Sequence, residues 1–189
     1  AVDAAGNVYV AGLSGSQTWD YATIKYVQTT TVPPSSFTVV RGQLIGGGLF
    51  ELLQSDNLYL TIQQRPPLPA GPNIQLVVQG TAPAETSTYF RFRLEAKCRN
   101  SLILYVPQMF NVLQRIELYN YQENRWELVD ERAATTVDRV VKVTFTENAQ
   151  RFIQPGTRTI KARIGWFDRG AISRDWFAAI DQTVWEIAP

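Results

Sequence analysis

The chain has 189 residues, enough for one sizeable hydrophobic core. Its 18 basic and 17 acidic residues leave a formal net charge of +1, so no general attraction to nucleic acid or to an anionic membrane surface is built in. It has no histidine and one cysteine, Cys98, which removes Ser-His-Asp and Cys-His catalysis, His-ligated zinc, thiolate metal clusters and any intrachain disulfide.

In chain order, residues 1–27 differ in character from the rest. Asp3, Gly6 and Asn7 mark a turn, 8–13 form a short strand, 14–17 a polar loop, and 20–27 a second strand. The runs GNVYVAG and WDYATIKY resemble one SBBP-type β-propeller repeat of large bacterial secreted and surface proteins. The likeness is carried by Asp3, Gly6, Asn7, Tyr9, Val10, Gly12, Asp20, Tyr21, Lys25 and Tyr26. One copy cannot close a propeller. Two readings stand. The segment is the last blade of an upstream propeller, or it adds its strand, with Val8, Tyr9, Val10, Ala11 and Leu13, to a sheet of this chain or of another copy. The chain opens inside a motif, which suggests a processed product or the tail of a longer protein.

Residues 28–36, QTTTVPPSS, are expected to be a polar linker, with a domain at 37–189. Strands are expected at 37–41, 48–53, 58–63 and 74–79, with the four-proline stretch 65–73 as an irregular loop. The clearest strand is 89–98: Phe90, Phe92, Leu94, Ala96 and Cys98 alternate with Arg91, Arg93, Glu95 and Lys97. Residues 101–110 read as a further apolar strand or covering loop. Strands at 114–121 and 125–129 form a hairpin around a polar turn, with Ile116 and Leu118 on one arm and Trp126 and Leu128 on the other as its structural centre. Strands at 140–146, 159–167 and 176–187 follow, with a Pro155-Gly156 turn between. Many short strands with turn signals about every ten residues predict an all-β fold, an antiparallel β-sandwich with a short N-terminal β-repeat extension.

The second half also resembles the terminal galactose-binding-like jelly-roll domain of bacterial extracellular proteins, through QRIELYNYQENRWELVD, RFIQPGTRTIKARIGW and AAIDQTVWEI. The resemblance implies a jelly-roll sandwich and a secreted or cell-surface location in a bacterium. It supports fold far more than ligand.

The acids Asp130 with Glu131, Asp168 with Asp175, and Asp181 with Glu186 are the candidates for a glycosidase-type pair, yet nothing in the sequence marks them as buried. Asp181 interrupts an apolar strand. It reads either as an acid tied to an arginine or to backbone amides or, as the resemblance implies, as a ligand of a structural calcium; no DxDxDG-type loop supplies the remaining oxygens. Two aromatic groups could stack on sugar rings. Tyr119, Tyr121 and Trp126 also read as core or cross-strand pairs. Trp166, Phe167 and Trp176 flank a loop with Arg169 and Arg174, where exposed aromatics beside charges form the better ligand-binding candidate. Gly46, Gly47 and Gly48 lack the helix and Lys-Ser pair of a phosphate loop.

The sequence therefore predicts a non-catalytic structural or interaction module with no cofactor, partnered by copies of itself or by neighbouring domains through its N-terminal strand. The alternative is a carbohydrate-binding module that uses loop aromatics to hold a polysaccharide. Nucleic acid and membrane insertion are not expected.

Overall fold

The computed structural model describes residues 1–3, 8–14, 20–26, 28–66, 71–100, 111–169 and 175–189. The strands are β1 Val8–Ser14, β2 Asp20–Tyr26, β3 Thr30–Val32, β4 Ser36–Arg41, β5 Gln43–Gly46, β6 Leu60–Gln63, β7 Ile74–Thr81, β8 Tyr89–Asn100, β9 Val112–Asn120, β10 Arg125–Ala133, β11 Arg139–Phe145, β12 Thr159–Asp168 and β13 Trp176–Ala188. Two single turns of 3-10 helix lie at Phe50–Leu52 and Ala149–Phe152.

Two antiparallel sheets form a jelly-roll-like β-sandwich. One has the order β10-β9-β12-β7-β4, the other β11-β8-β13-β6-β5 with β3 added to β13. Period-two alternation sends one row of each strand inward. The first sheet contributes Ile74, Leu76, Val78, Ile116, Leu118, Ile160, Ala162, Ile164 and Trp166; the second contributes Phe90, Phe92, Leu94, Cys98, Ile180, Trp185 and Ile187. Burying each large apolar side chain stabilises the fold by roughly 1.5–3 kcal/mol. Cys98 lies in this layer, and burial pushes its thiol well above its ordinary pKa, so it is a packing group and not a nucleophile.

Three sequence expectations change. The strand expected at 48–53 is a 3-10 turn, because Gly47, at φ +75°, breaks the extended run next to the backbone of β6. A Cβ there would lie 2.6 Å from the Tyr59 carbonyl oxygen. The expected linker is fastened to the sandwich: Thr30, Thr31 and Val32 pair with Ile187, Glu186 and Trp185, Val32 is buried, and the Ser35 N–H donates to the Gln79 carbonyl. Trp126 and Leu128 do not share a face with Ile116 and Leu118. They pair with Tyr119 and Glu117, on the outward row. Residues 101–110 lie outside the described residues.

β1 and β2 make a two-stranded sheet of their own. Residues before them fold back, with a Val2–Val8 bridge and the Tyr9 hydroxyl donating to Asp3 at 2.9 Å. The outer face of the six-stranded sheet is crossed by the segment after β5. The Leu53 carbonyl accepts from the Gln182 amide, and Tyr59 lies against Lys97. That face is threaded by the ion pairs Arg91–Glu186, Arg93–Glu95 and Lys97–Asp138.

Candidate functional site

The outer face of the five-stranded sheet gathers the remaining rings and charges, and its register explains how. At one end Trp126 of β10 pairs with Tyr119 of β9. Their rings meet edge to face, with centroids 5.1 Å apart, and Tyr121 continues the line 4.8 Å from Tyr119. In the next row Leu128, Glu117, Arg163, Val77 and Thr38 lie side by side across all five strands. The Arg163 guanidinium grips Glu117 with both arms, at 2.7 and 2.6 Å, and lies 4.6 Å over the Trp126 ring. A third row runs Glu131, Arg115, Gly165, Gln75 and Arg41. Arg115 pairs with Glu131 and lies 4.6 Å over the Phe167 ring.

Gly165 makes this row flat. A Cβ on it would come within 2.9 Å of the Phe167 ring, so the ring lies down over the strand because the glycine has no side chain. Two similar stacks result, each an aromatic ring capped by a guanidinium that a carboxylate holds in place. Such a contact is worth about 0.5–1 kcal/mol at a partly exposed site. Lys161, opposite Gln79, lies 5.9 Å from the Tyr119 ring centroid. Five strands about 4.8 Å apart make the face roughly 20 Å across.

Chemically the face offers ring edges, planar guanidinium and amide groups and short hydroxyl side chains, with no activated nucleophile. That composition suits holding a polyhydroxylated chain by apolar contact with the rings and by paired hydrogen bonds.

The loop site expected around 168–175 is not brought together as a cluster of exposed aromatics. Trp166 is 0% exposed and Trp176 2% exposed, and both belong to the core. The Trp176 indole N–H donates to Asp168 at 3.3 Å. Adjacent residues on a strand face opposite ways, so of the pair Trp166 and Phe167 only Phe167 reaches the outer face. Arg169 is exposed, and its backbone bonds to Asn111. Arg174 lies outside the described residues. On the expected assembly strand Val8, Val10 and Ala11 are exposed and Tyr9 half-buried, while the Leu13 side chain lies outside what is described. β1 spends one edge on β2.

Asp181 is 1% exposed and sits at a bulge in β13, between Ile180 and Gln182. One carboxylate oxygen accepts the backbone N–H groups of Asp56 and Asn57, at 3.3 and 3.0 Å. The bulge and this turn account for an acid in an apolar strand. Among the described residues no three acids or sulfur ligands are grouped to hold a metal ion. Of the other acids considered as pairs, Asp130 pairs with Arg132, Glu131 with Arg115 and Glu186 with Arg91, and Asp168 accepts from the Trp176 indole.

Sequence reasoning missed Arg115, Glu117, Arg163, Gly165 and Lys161. Their signal was the charged row of β9 and β12, which becomes a site only once the register sets Arg163 beside Glu117 and Arg115 beside Gly165.

No family model and no curated protein matches the chain. Among solved structures, a xylan-binding module of the CBM15 type superposes with a TM-score of 0.50 at 12% identity, covering 86% of this chain and 97% of that one. The N-terminal cellulose-binding domain of Cellulomonas fimi β-1,4-glucanase C gives 0.48 at 16% identity, covering 82% and 91%. A CBM4 module gives 0.44 at 18% identity, covering 80% and 94%. The CBM15 superposition is a likeness of fold alone: the chain shares the β-sandwich of that module.

Proposed function

We propose that this protein binds polysaccharide on the outer face of its five-stranded sheet, as a non-catalytic module of a secreted or cell-surface protein. The observation that carries the reading is the open face itself. Trp126, Tyr119 and Phe167 lie there with two carboxylate-held guanidiniums, on a sheet whose core is complete without them. The fold shared with a xylan-binding module supports it. The test is binding to a panel of plant and microbial polysaccharides by affinity electrophoresis. Trp126→Ala and Tyr119→Ala should each weaken binding about 3–10-fold without unfolding the sandwich, the worth of one ring contact. Binding indifferent to both substitutions, or no binding to any polymer, overturns the reading.

A second role has its own observation. The β1–β2 hairpin is a separate sheet with Val8, Val10 and Tyr26 exposed, and a lone hairpin is marginal in water. Docking of this hairpin on a neighbouring domain or on another copy would cover those residues. Sedimentation of the full chain and of a variant lacking residues 1–27 tests it. Monomers in both cases, at all concentrations, count against self-assembly.

A further inference from the structure

We propose that the polysaccharide held on this face is anionic and carries carboxylate groups. The inference rests on the glycan-binding reading above and adds the substrate class. Four cations point outward from β4, β9 and β12: Arg41, Arg115, Lys161 and Arg163. Two carboxylates share the face, Glu117 and Glu131, and both are taken, by Arg163 and Arg115. Lys161 and Arg41 have no carboxylate partner among the described residues.

Their placement is not that of scattered surface charge. Lys161 sits beside the Tyr119–Trp126 pair, where a stacked sugar would rest. Arg41 lies at the far edge, on β4, with its Nη2 on the Pro66 carbonyl and its buried Nε without a hydrogen-bond partner among the described residues. By the register the two are two strands and four residues apart, roughly 16 Å from strand spacing and rise. A chain laid from the ring pair on β10 and β9 toward β4 passes Lys161 beside the rings, crosses the Arg163–Glu117 row and reaches Arg41 at the far edge, with the Phe167 stack to one side of the path. The excess positive charge rewards an anionic chain over its neutral counterpart.

The experiment compares each of three acidic polymers, glucuronoxylan, polygalacturonate and alginate, with its carboxyl-reduced neutral derivative, at low and high salt. Dextran sulfate serves as a control. The wild type should bind one of the acidic polymers about five-fold more tightly than its reduced form at low salt, the worth of one partly exposed ion pair, and the preference should shrink at high salt. Lys161→Met should abolish most of that preference and Lys161→Glu reverse it, with Trp126→Ala weakening both polymers alike. Equal binding of acidic and reduced polymers by the wild type overturns this proposal and leaves the glycan reading intact. So does a preference that survives Lys161→Glu, or dextran sulfate bound as tightly as any acidic polymer regardless of Trp126. No binding to any polymer, neutral polysaccharides included, overturns the glycan reading itself.

Discussion

Asp181 shows how one residue's surroundings set its energetics. Burial pushes its carboxyl above the ordinary carboxylate range, the amides of Asp56 and Asn57 pull it back, and the nearby Glu95 and Asp138 charges add to the rise. A carboxyl whose pKa is raised on folding contributes stability that is full below its unfolded value, about 3.9, and is lost as pH climbs through the folded value. Asp181→Asn keeps an acceptor for both amides without the charge, so its melting temperature should gain on the wild type as pH rises from acid toward neutral. Asp181→Ala leaves two amides without their acceptor and should cost about 1–3 kcal/mol throughout. Melts across that pH range check both, and parallel curves for wild type and Asp181→Asn would contradict the raised carboxyl. The presence of an unusual acid was legible in the sequence; its reason was not, because the bulge and the turn at Asp56–Asn57 meet across 124 positions. The same holds for Trp166 and Phe167. Their identity marks an aromatic pair, but which ring faces out follows from the phase of β12 against the core.

Among the elements, β8 was plain in the sequence because its alternation is unbroken over ten residues. β10 was half plain. Its bulge, between Leu128 and Asp130, shifts the phase, and a period-two pattern carries no mark of an extra residue. β3 was invisible, since three polar or β-branched residues beside prolines look like a linker until Val32 is seen under β13. The link from β8 to β11 is testable. Lys97, 6% exposed, donates to Asp138 at 2.7 Å and to the Tyr59 hydroxyl at 2.6 Å, with its ammonium 3.9 Å from the Tyr59 ring centroid. Asp138→Asn strands a buried ammonium, and we expect a loss of about 1–3 kcal/mol, below that of a fully buried pair because Asp138 is partly exposed. Lys97→Met combined with Asp138→Asn should recover part of it. A double-mutant cycle by urea unfolding measures the coupling, and additive effects would show that the pair contributes nothing.

For the whole molecule, the fold class was legible from the density of strands and turns, and the site was not, because it is assembled from register. β1 and β2 share no strand pairing with the sandwich, whose first strand is β3. Removing residues 1–27 should therefore leave the sandwich's unfolding midpoint unchanged, whereas removing residues 1–35 should lower it, since β3 and Val32 leave the six-stranded sheet. Chemical denaturation of both truncations checks this; equal midpoints would mean that β3 adds no stability. The place of β13 has a further consequence, for synthesis. This one strand pairs with β3, β6 and β8, and its residues emerge from the ribosome about 90 positions after those of β8, a wait of roughly 5–18 s at ~5–20 residues per second. For that interval β8 has the edge reserved for β13 unfilled and its apolar row without the far side of the core. The charged row on its other face, Arg91, Arg93, Glu95 and Lys97, then serves the nascent chain by discouraging the waiting edge from pairing with that of a neighbour.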